Sequence, residues 1–229
     1  MMAWEEIWGA AAVPAPAPRR PVPWEDPEVF GLAGFFRTLR DLLFHPDRFF
    51  ETLEGEGWAE PLAFALIVST AGLLGALFWQ LLVLAPAASP EDVARLSLGS
   101  ALEEKVLVAL MAASPLLVLV NLGVGSLCWW GSVAMLGVSR KFTPAWRIFC
   151  YAQGGMALAL IPFFGLGLAG LWTLALLYCG AKQVYGFSAR GSLGALAIFL
   201  SLQAALGMIW LLGLAVLACL GFLLLLLLG

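Results

Sequence analysis

Four runs of the chain carry no charged side chain: residues 61–90, 106–139, 148–181 and 191–229. Each exceeds the roughly 20 apolar residues an α-helix needs to cross a hydrocarbon core. The third is too long for one crossing, since as a single helix it would extend about 51 Å against a core of about 30 Å. Pro162, Phe163, Phe164 and Gly165 stand at its middle, where proline followed by glycine favours a tight turn. Two short spans are therefore predicted there, near 144–161 and 166–182, with Arg147 and Lys182 snorkelling to one face from their ends. The second run has no proline at its centre and is predicted as one long or kinked span. The last run fits one span with an apolar extension, or two tight ones, and one is preferred. The pattern thus predicts an all-α, polytopic membrane bundle of about five spans.

Upstream of these runs the periodicity changes. Leu32, Phe35, Phe36, Leu39, Leu42 and Leu43 recur at helical spacing, with Arg37, Arg40 and Asp41 on the other side. This predicts an amphipathic helix lying in the headgroup region. Pro46 ends it, and 47–53 start a second short helix with Phe49, Phe50 and Leu53 on one side. Trp58 is placed as an interfacial anchor before the first span. Residues 10–27 hold six of the 13 prolines and read as an extended tether. Around it lie two tryptophan–acid clusters, Trp4-Glu5-Glu6-Ile7-Trp8 and Trp24-Glu25-Asp26. Trp4, Trp8, Trp24, Glu25 and Asp26 are candidate docking residues, for a partner or for the protein's own membrane face. The alternative is a disordered end. The expected organisation is a disordered proline-rich cytoplasmic tail (1–29), amphipathic interfacial helices (30–57) and a transmembrane domain (58–229).

Composition removes a soluble enzyme from consideration: 62% of the 229 residues are hydrophobic and 12% charged. Residues 1–60 hold 16 of the 27 charges, so a polar head precedes a membrane body. With five spans, ten of the 12 basic residues fall on the N-terminal side of the membrane and two, Arg95 and Lys105, on the other. The positive-inside bias then puts the N-terminus in the cytoplasm and the C-terminus outside, in the cell's inner membrane. Residues 1–30 contain no apolar signal-peptide segment, so the first span is expected to direct insertion.

The residues around the first span resemble a known family. His45-Pro46-Asp47-Arg48-Phe49-Phe50-Glu51-Thr52-Leu53, then Trp58-Ala59-Glu60-Pro61-Leu62-Ala63-Phe64, is similar to the start of the membrane domain of the Ypt/Rab-interacting (YIP) family. Tyr151-Ala152, Pro162-Phe163-Phe164-Gly165, Trp172, Gly180, Gly186-Phe187-Ser188 and Arg190 resemble its short third–fourth hairpin and following loop. The resemblance spans roughly 35–210. It departs at Gln153-Gly154-Gly155, where a proline would be expected. It implies five spans, a cytoplasmic N-terminus and no catalytic residues. Eukaryotic members act in vesicle traffic with Rab GTPases, whereas this Ala/Gly/Leu/Arg-rich chain looks more like a bacterial member.

Chemistry is sparse. Residues 165–170 spell a Gly-x-Gly-x-x-Gly fingerprint, but inside an apolar run with no acid about 20 positions on, so close helix contact is the better reading. The only histidine, His45, stands at a helix boundary, and the four cysteines are read as small buried hydrophobes. No cofactor, metal or nucleic-acid partner is expected. The span centres hold no charge, which argues against ion-coupled transport. Asn121, Gln153 and Tyr151 are the candidate intramembrane polar site or helix contacts. Interhelical glue is the first reading for Asn121 and Gln153, and a polar permeation path the second. The function expected is a non-catalytic membrane scaffold, adaptor or organiser whose partners are the bilayer and a membrane protein or a second copy (a homo-oligomer). The alternative is a transporter, channel or lipid-moving protein with a neutral polar cleft.

Overall fold

The computed structural model describes residues 22–29, 31–53, 56–84, 90–138 and 141–228. Among them are seven α-helices and no strand. The helices are α1 (Leu32–Phe44), α2 (Pro46–Glu51), α3 (Ala59–Leu84), α4 (Pro90–Met135), α5 (Phe142–Ala152), α6 (Gly165–Tyr185) and α7 (Ala189–Leu228), with a 3-10 segment, Gln153–Leu160, continuing α5. Four stretches among the described residues are long and apolar enough to cross a membrane: Ala59–Gln80, Val108–Met135, Gly165–Tyr185 and Ala189–Ile209. Helix α5 and the 3-10 segment together extend about 32 Å, a fifth element of membrane length. The face where α3 begins is called the near face, and the face holding the 161–164 turn the far face.

The predicted hairpin is present. The turn at 161–164 reverses the chain between the 3-10 segment and α6, with Phe163 in the left-handed region (φ 65). Phe163 and Phe164 are exposed at its tip. The helix ends at Ala152 and tightens into 3-10 geometry from Gln153, so the chain changes its winding here without a proline. Two adjacent glycines, which weaken helix propagation, and the close neighbours of this segment account for the change. At its far end the Leu160 carbonyl accepts a hydrogen bond from the Trp79 indole N–H, 2.9 Å away, which ties the segment to α3.

Helix α4 is one continuous helix of 46 residues, much longer than a bilayer core, and Pro115 lies inside it. Proline lacks the N–H that would bond the carbonyl four residues back. That carbonyl, of Met111, instead accepts from the buried Ser114 hydroxyl at 2.8 Å. A polar side chain thus fills the gap in the ladder, as the low-dielectric interior of a bilayer demands. The last run also forms one helix, α7. Helix α6 ends at Gly186, whose left-handed conformation (φ 66) is one that glycine adopts without steric cost.

The 3-10 segment sits between α3 and α6, while α4 packs against α3, α5 and α7. Leu42, Phe50, Phe64, Leu122, Trp129, Ile148, Tyr151, Leu176 and Leu177 are among the large fully buried side chains of the described residues. Among the described glycines, the closest backbone approach lies at Gly72, where a β-carbon would stand 2.3 Å from the Met156 carbonyl oxygen. In the 165–170 fingerprint only Gly165 fills such a role, with a β-carbon 2.5 Å from the Leu158 oxygen. Gly167 and Gly170 face open space.

Helix α1 shows three faces. Gly34, Thr38 and Leu42 are buried, Leu32 and Phe36 are exposed apolar, and Arg37 and Arg40 are exposed and charged. Its C-terminal end is pinned to the bundle by the Trp172 indole N–H, donated to the Leu42 carbonyl at 3.4 Å. Helix α2 is held to α6 through Gln183, whose amide N–H donates to the Asp47 carboxylate at 3.2 Å.

Candidate functional site

Residues 22–29, expected in the flexible tail, fold into two turns against the near face. Glu25 N–H donates to the Val22 carbonyl at 2.8 Å and Val29 N–H to the Asp26 carbonyl at 3.0 Å. The Asp26 carboxylate accepts the Glu28 N–H, which closes the second turn. Gly34 lets α1 lie directly on this segment, since a β-carbon there would meet the Pro23 oxygen at 2.5 Å and the Val29 oxygen at 2.9 Å.

Trp24 is inserted into the protein. Its backbone N–H donates to Thr38 Oγ1 at 3.0 Å and its indole N–H to the Glu60 carbonyl at 2.8 Å, so both of its donors are satisfied as it is buried. The ring stands edge-on to Phe35 at 5.8 Å. A line of aromatic rings continues through Phe64 (5.3 Å from Phe35) to Tyr151 (5.5 Å from Phe64) and Phe49 (5.1 Å from Tyr151).

Behind this wall lies an ion pair between chain positions 122 apart. Arg147 Nη2 donates to both Glu25 carboxylate oxygens, at 2.8 and 2.9 Å. Arg147 Nη1 donates to the Gly57 carbonyl at 3.2 Å, and the Tyr151 hydroxyl donates to Glu25 Oε1. The guanidinium carbon is 6.0 Å from the centre of the Tyr151 ring. The Arg147 side chain is 3% exposed and that of Glu25 17%. Arg147 therefore does not snorkel to the surface as its position at a span end suggests. A carboxylate, a phenol and a carbonyl meet it inside, which is the condition for keeping a guanidinium out of water. Lys182 is exposed. Beside the pair, Trp58 and Trp146 stack at 5.5 Å, and the Trp146 indole N–H donates to the Trp58 carbonyl at 3.3 Å. These rings form an aromatic belt of the kind found at a membrane–water boundary.

Of the residues singled out by sequence, Trp24, Glu25 and Tyr151 thus converge on one site, and Asp26 shapes its backbone. Trp4 and Trp8 lie outside the described residues. Asn121 and Gln153 do not share an environment. Asn121 is exposed on α4, whereas Gln153 is 4% exposed and accepts a long hydrogen bond (3.5 Å) from the Ser69 hydroxyl on α3. Arg147, missed as a site residue, is its central charge. Ser114, Ser126, Ser132 and Ser201 all donate to carbonyls of their own helices. Cys128 and Cys150 are buried, and no group of metal-ligating side chains occurs among the described residues.

This placement separates the two amides experimentally. Asn121→Leu leaves stability in detergent within a few tenths of a kcal/mol, while Gln153→Leu costs about 1 kcal/mol by removing the Ser69 contact. Equal losses from both substitutions, read by denaturant titration, would contradict the burial difference.

The bundle's construction agrees with comparison of its sequence. The Yip1 domain matches residues 40–212, well over half of the chain, from α1 into α7. No curated protein and no solved structure matches the chain. The matched region includes Arg147 and Tyr151 and leaves the docked Trp24-Glu25 segment upstream. Together with the apolar helices, this match shows that the chain belongs to the Yip1 domain family of multi-pass membrane proteins.

Proposed function

We propose that the protein is a non-catalytic membrane scaffold or organiser, with its N-terminus in the cytoplasm and the docked Trp24-Glu25 segment forming part of a cytoplasmic docking surface. The observation that carries this reading is how the intramembrane polar groups are used. Four span serines bond their own helix carbonyls and Gln153 faces Ser69, while the Thr70, Thr173 and Ser192 hydroxyls are buried without a hydrogen-bond partner among the described residues. Groups bonded in this way stabilise helices and offer no row of donors and acceptors to a passing solute. The recess at the far face, of about 460 Å³, is bordered mainly by apolar and aromatic residues, Trp79, Ile161, Phe163 and Leu166 among them. Family membership supports a membrane-associated role without chemistry. The excess of basic residues on the near face supports a cytoplasmic near face in the cell's inner membrane.

The test is flux through proteoliposomes carrying the full chain, assayed for fluorescent lipid and for small solutes, beside crosslinking in the native membrane. The scaffold reading predicts movement at the level of empty vesicles and a crosslinked membrane-protein partner or second copy. Flux above that background, lost in Gln153→Leu, would replace it with transport.

A further inference from the structure

Next to the docked segment, α1 and α2 border an open cleft of about 770 Å³ whose charged and polar lining includes Asp26, Arg37, Arg40, Asp41, His45 and Arg48. Arg40 is paired with Asp41 at 3.0 Å, and Asp26 caps the Glu28 N–H. Arg37 and Arg48 are exposed and make no hydrogen bond or ion pair among the described residues. The cleft therefore presents three guanidinium groups against two carboxylates, and two of the three have no anion.

The surroundings define what that anion is. Leu32, Phe36 and Phe44, on the same helix, are 78%, 61% and 71% exposed, a greasy surface that would be costly in water. Helix α2 ends at Glu51, eight residues before α3 enters the bundle at Ala59, beside the Trp58–Trp146 belt. Cationic groups over an apolar helix face at a membrane boundary match an amphiphile with a negative head. We propose that this cleft binds the headgroup phosphodiester of an anionic phospholipid, with Arg37 and Arg48 on the phosphate and the acyl chains along Leu32, Phe36 and Phe44. The two carboxylates limit the excess positive charge, so the site suits a singly charged headgroup such as phosphatidylglycerol better than a multiply phosphorylated one.

Native mass spectrometry of the full chain, released from detergent holding equal phosphatidylglycerol and phosphatidylcholine of matched acyl chains, tests this. The parent should retain phosphatidylglycerol about tenfold over phosphatidylcholine. Arg37→Gln with Arg48→Gln should bring the two lipids near parity. Lys182→Gln, an exposed basic residue elsewhere, should leave the preference intact, and Arg37→Lys with Arg48→Lys should keep part of it. Both arginines are exposed, so unchanged gel filtration and circular dichroism are expected for the Gln pair. No preference in the parent, or a preference that survives the Gln pair, would overturn the site. Loss of phosphatidylglycerol to excess inorganic phosphate would assign the cleft to a free anion and overturn the lipid assignment.

Discussion

Glu25→Ala lowers the free energy of unfolding by about 3 kcal/mol and opens residues 22–29 to protease, because it leaves the Arg147 guanidinium buried without its carboxylate. The size follows from an asymmetry. An ion pair formed in the interior gains little net energy, since two charges lose their water, but removing one partner strands the other. Arg147 keeps the Gly57 carbonyl and the face of Tyr151, neither of which carries the charge of the lost Glu25 carboxylate, and at 3% exposure it has little access to solvent. Tyr151→Phe is milder, at about 1 kcal/mol, since one donor to the carboxylate is lost and the ring stays. Replacing both charges with apolar residues, Glu25→Leu with Arg147→Met, recovers most of the loss because no charge is left uncompensated. Denaturant titration in mixed micelles with limited proteolysis reads both effects. A Glu25→Ala protein as stable and as protease-resistant as the parent would show that the segment is not latched.

The second large effect is at Gly72. Gly72→Ala costs about 2 kcal/mol or more, because its β-carbon falls 2.3 Å from a backbone oxygen of the 3-10 segment, and backbone on both sides leaves no flexible side chain to move aside. Gly123→Ala is the matched control: nothing lies within 4 Å of its β-carbon, and alanine favours the helix by about 1 kcal/mol over glycine. The pair should shift stability in opposite directions in the same titration. Destabilisation of equal size at both positions would mean that helix propensity, and not the contact between α3 and the 3-10 segment, is being measured.

Much of this architecture is visible in the sequence because its causes are local. Charge-free runs give spans, and Pro162 with Gly165 gives the turn. The 3.6-residue period over residues 32–44 gives α1 an apolar and a charged side. The burial of Gly34 and Thr38 and the exposure of Leu32 and Phe36 depend on the docked segment and the bundle, which the period does not show. Pro115 shows a partial limit: proline marks a break in the ladder, yet Ser114 beside it supplies the donor that keeps the helix continuous. The change to 3-10 geometry at Gln153 was foreshadowed only by the Gly154-Gly155 pair.

The candidate site was legible in halves. Trp24, Glu25 and Asp26 stand out as aromatic and acidic residues where a purely entropic tail would have few aromatics, and Tyr151 through the family-like Tyr151-Ala152 pair. Arg147 did not stand out, since arginine at a span end ordinarily reaches the headgroups. Its role depends on a carboxylate 122 positions away, and no periodicity links the two. Asn121 and Gln153 look equivalent in sequence as deep amides. Helix rotation alone distinguishes them, turning one outward and the other onto Ser69.

A double-mutant cycle between Glu25 and Arg147 tests the latch most directly. Unfolding free energies of the parent, Glu25→Ala, Arg147→Ala and the double variant give the coupling without assumptions about either residue alone. The latch predicts a coupling of about 2 kcal/mol or more, with the double variant more stable than the sum of the single losses implies. Additive losses, with a coupling near zero, would contradict it.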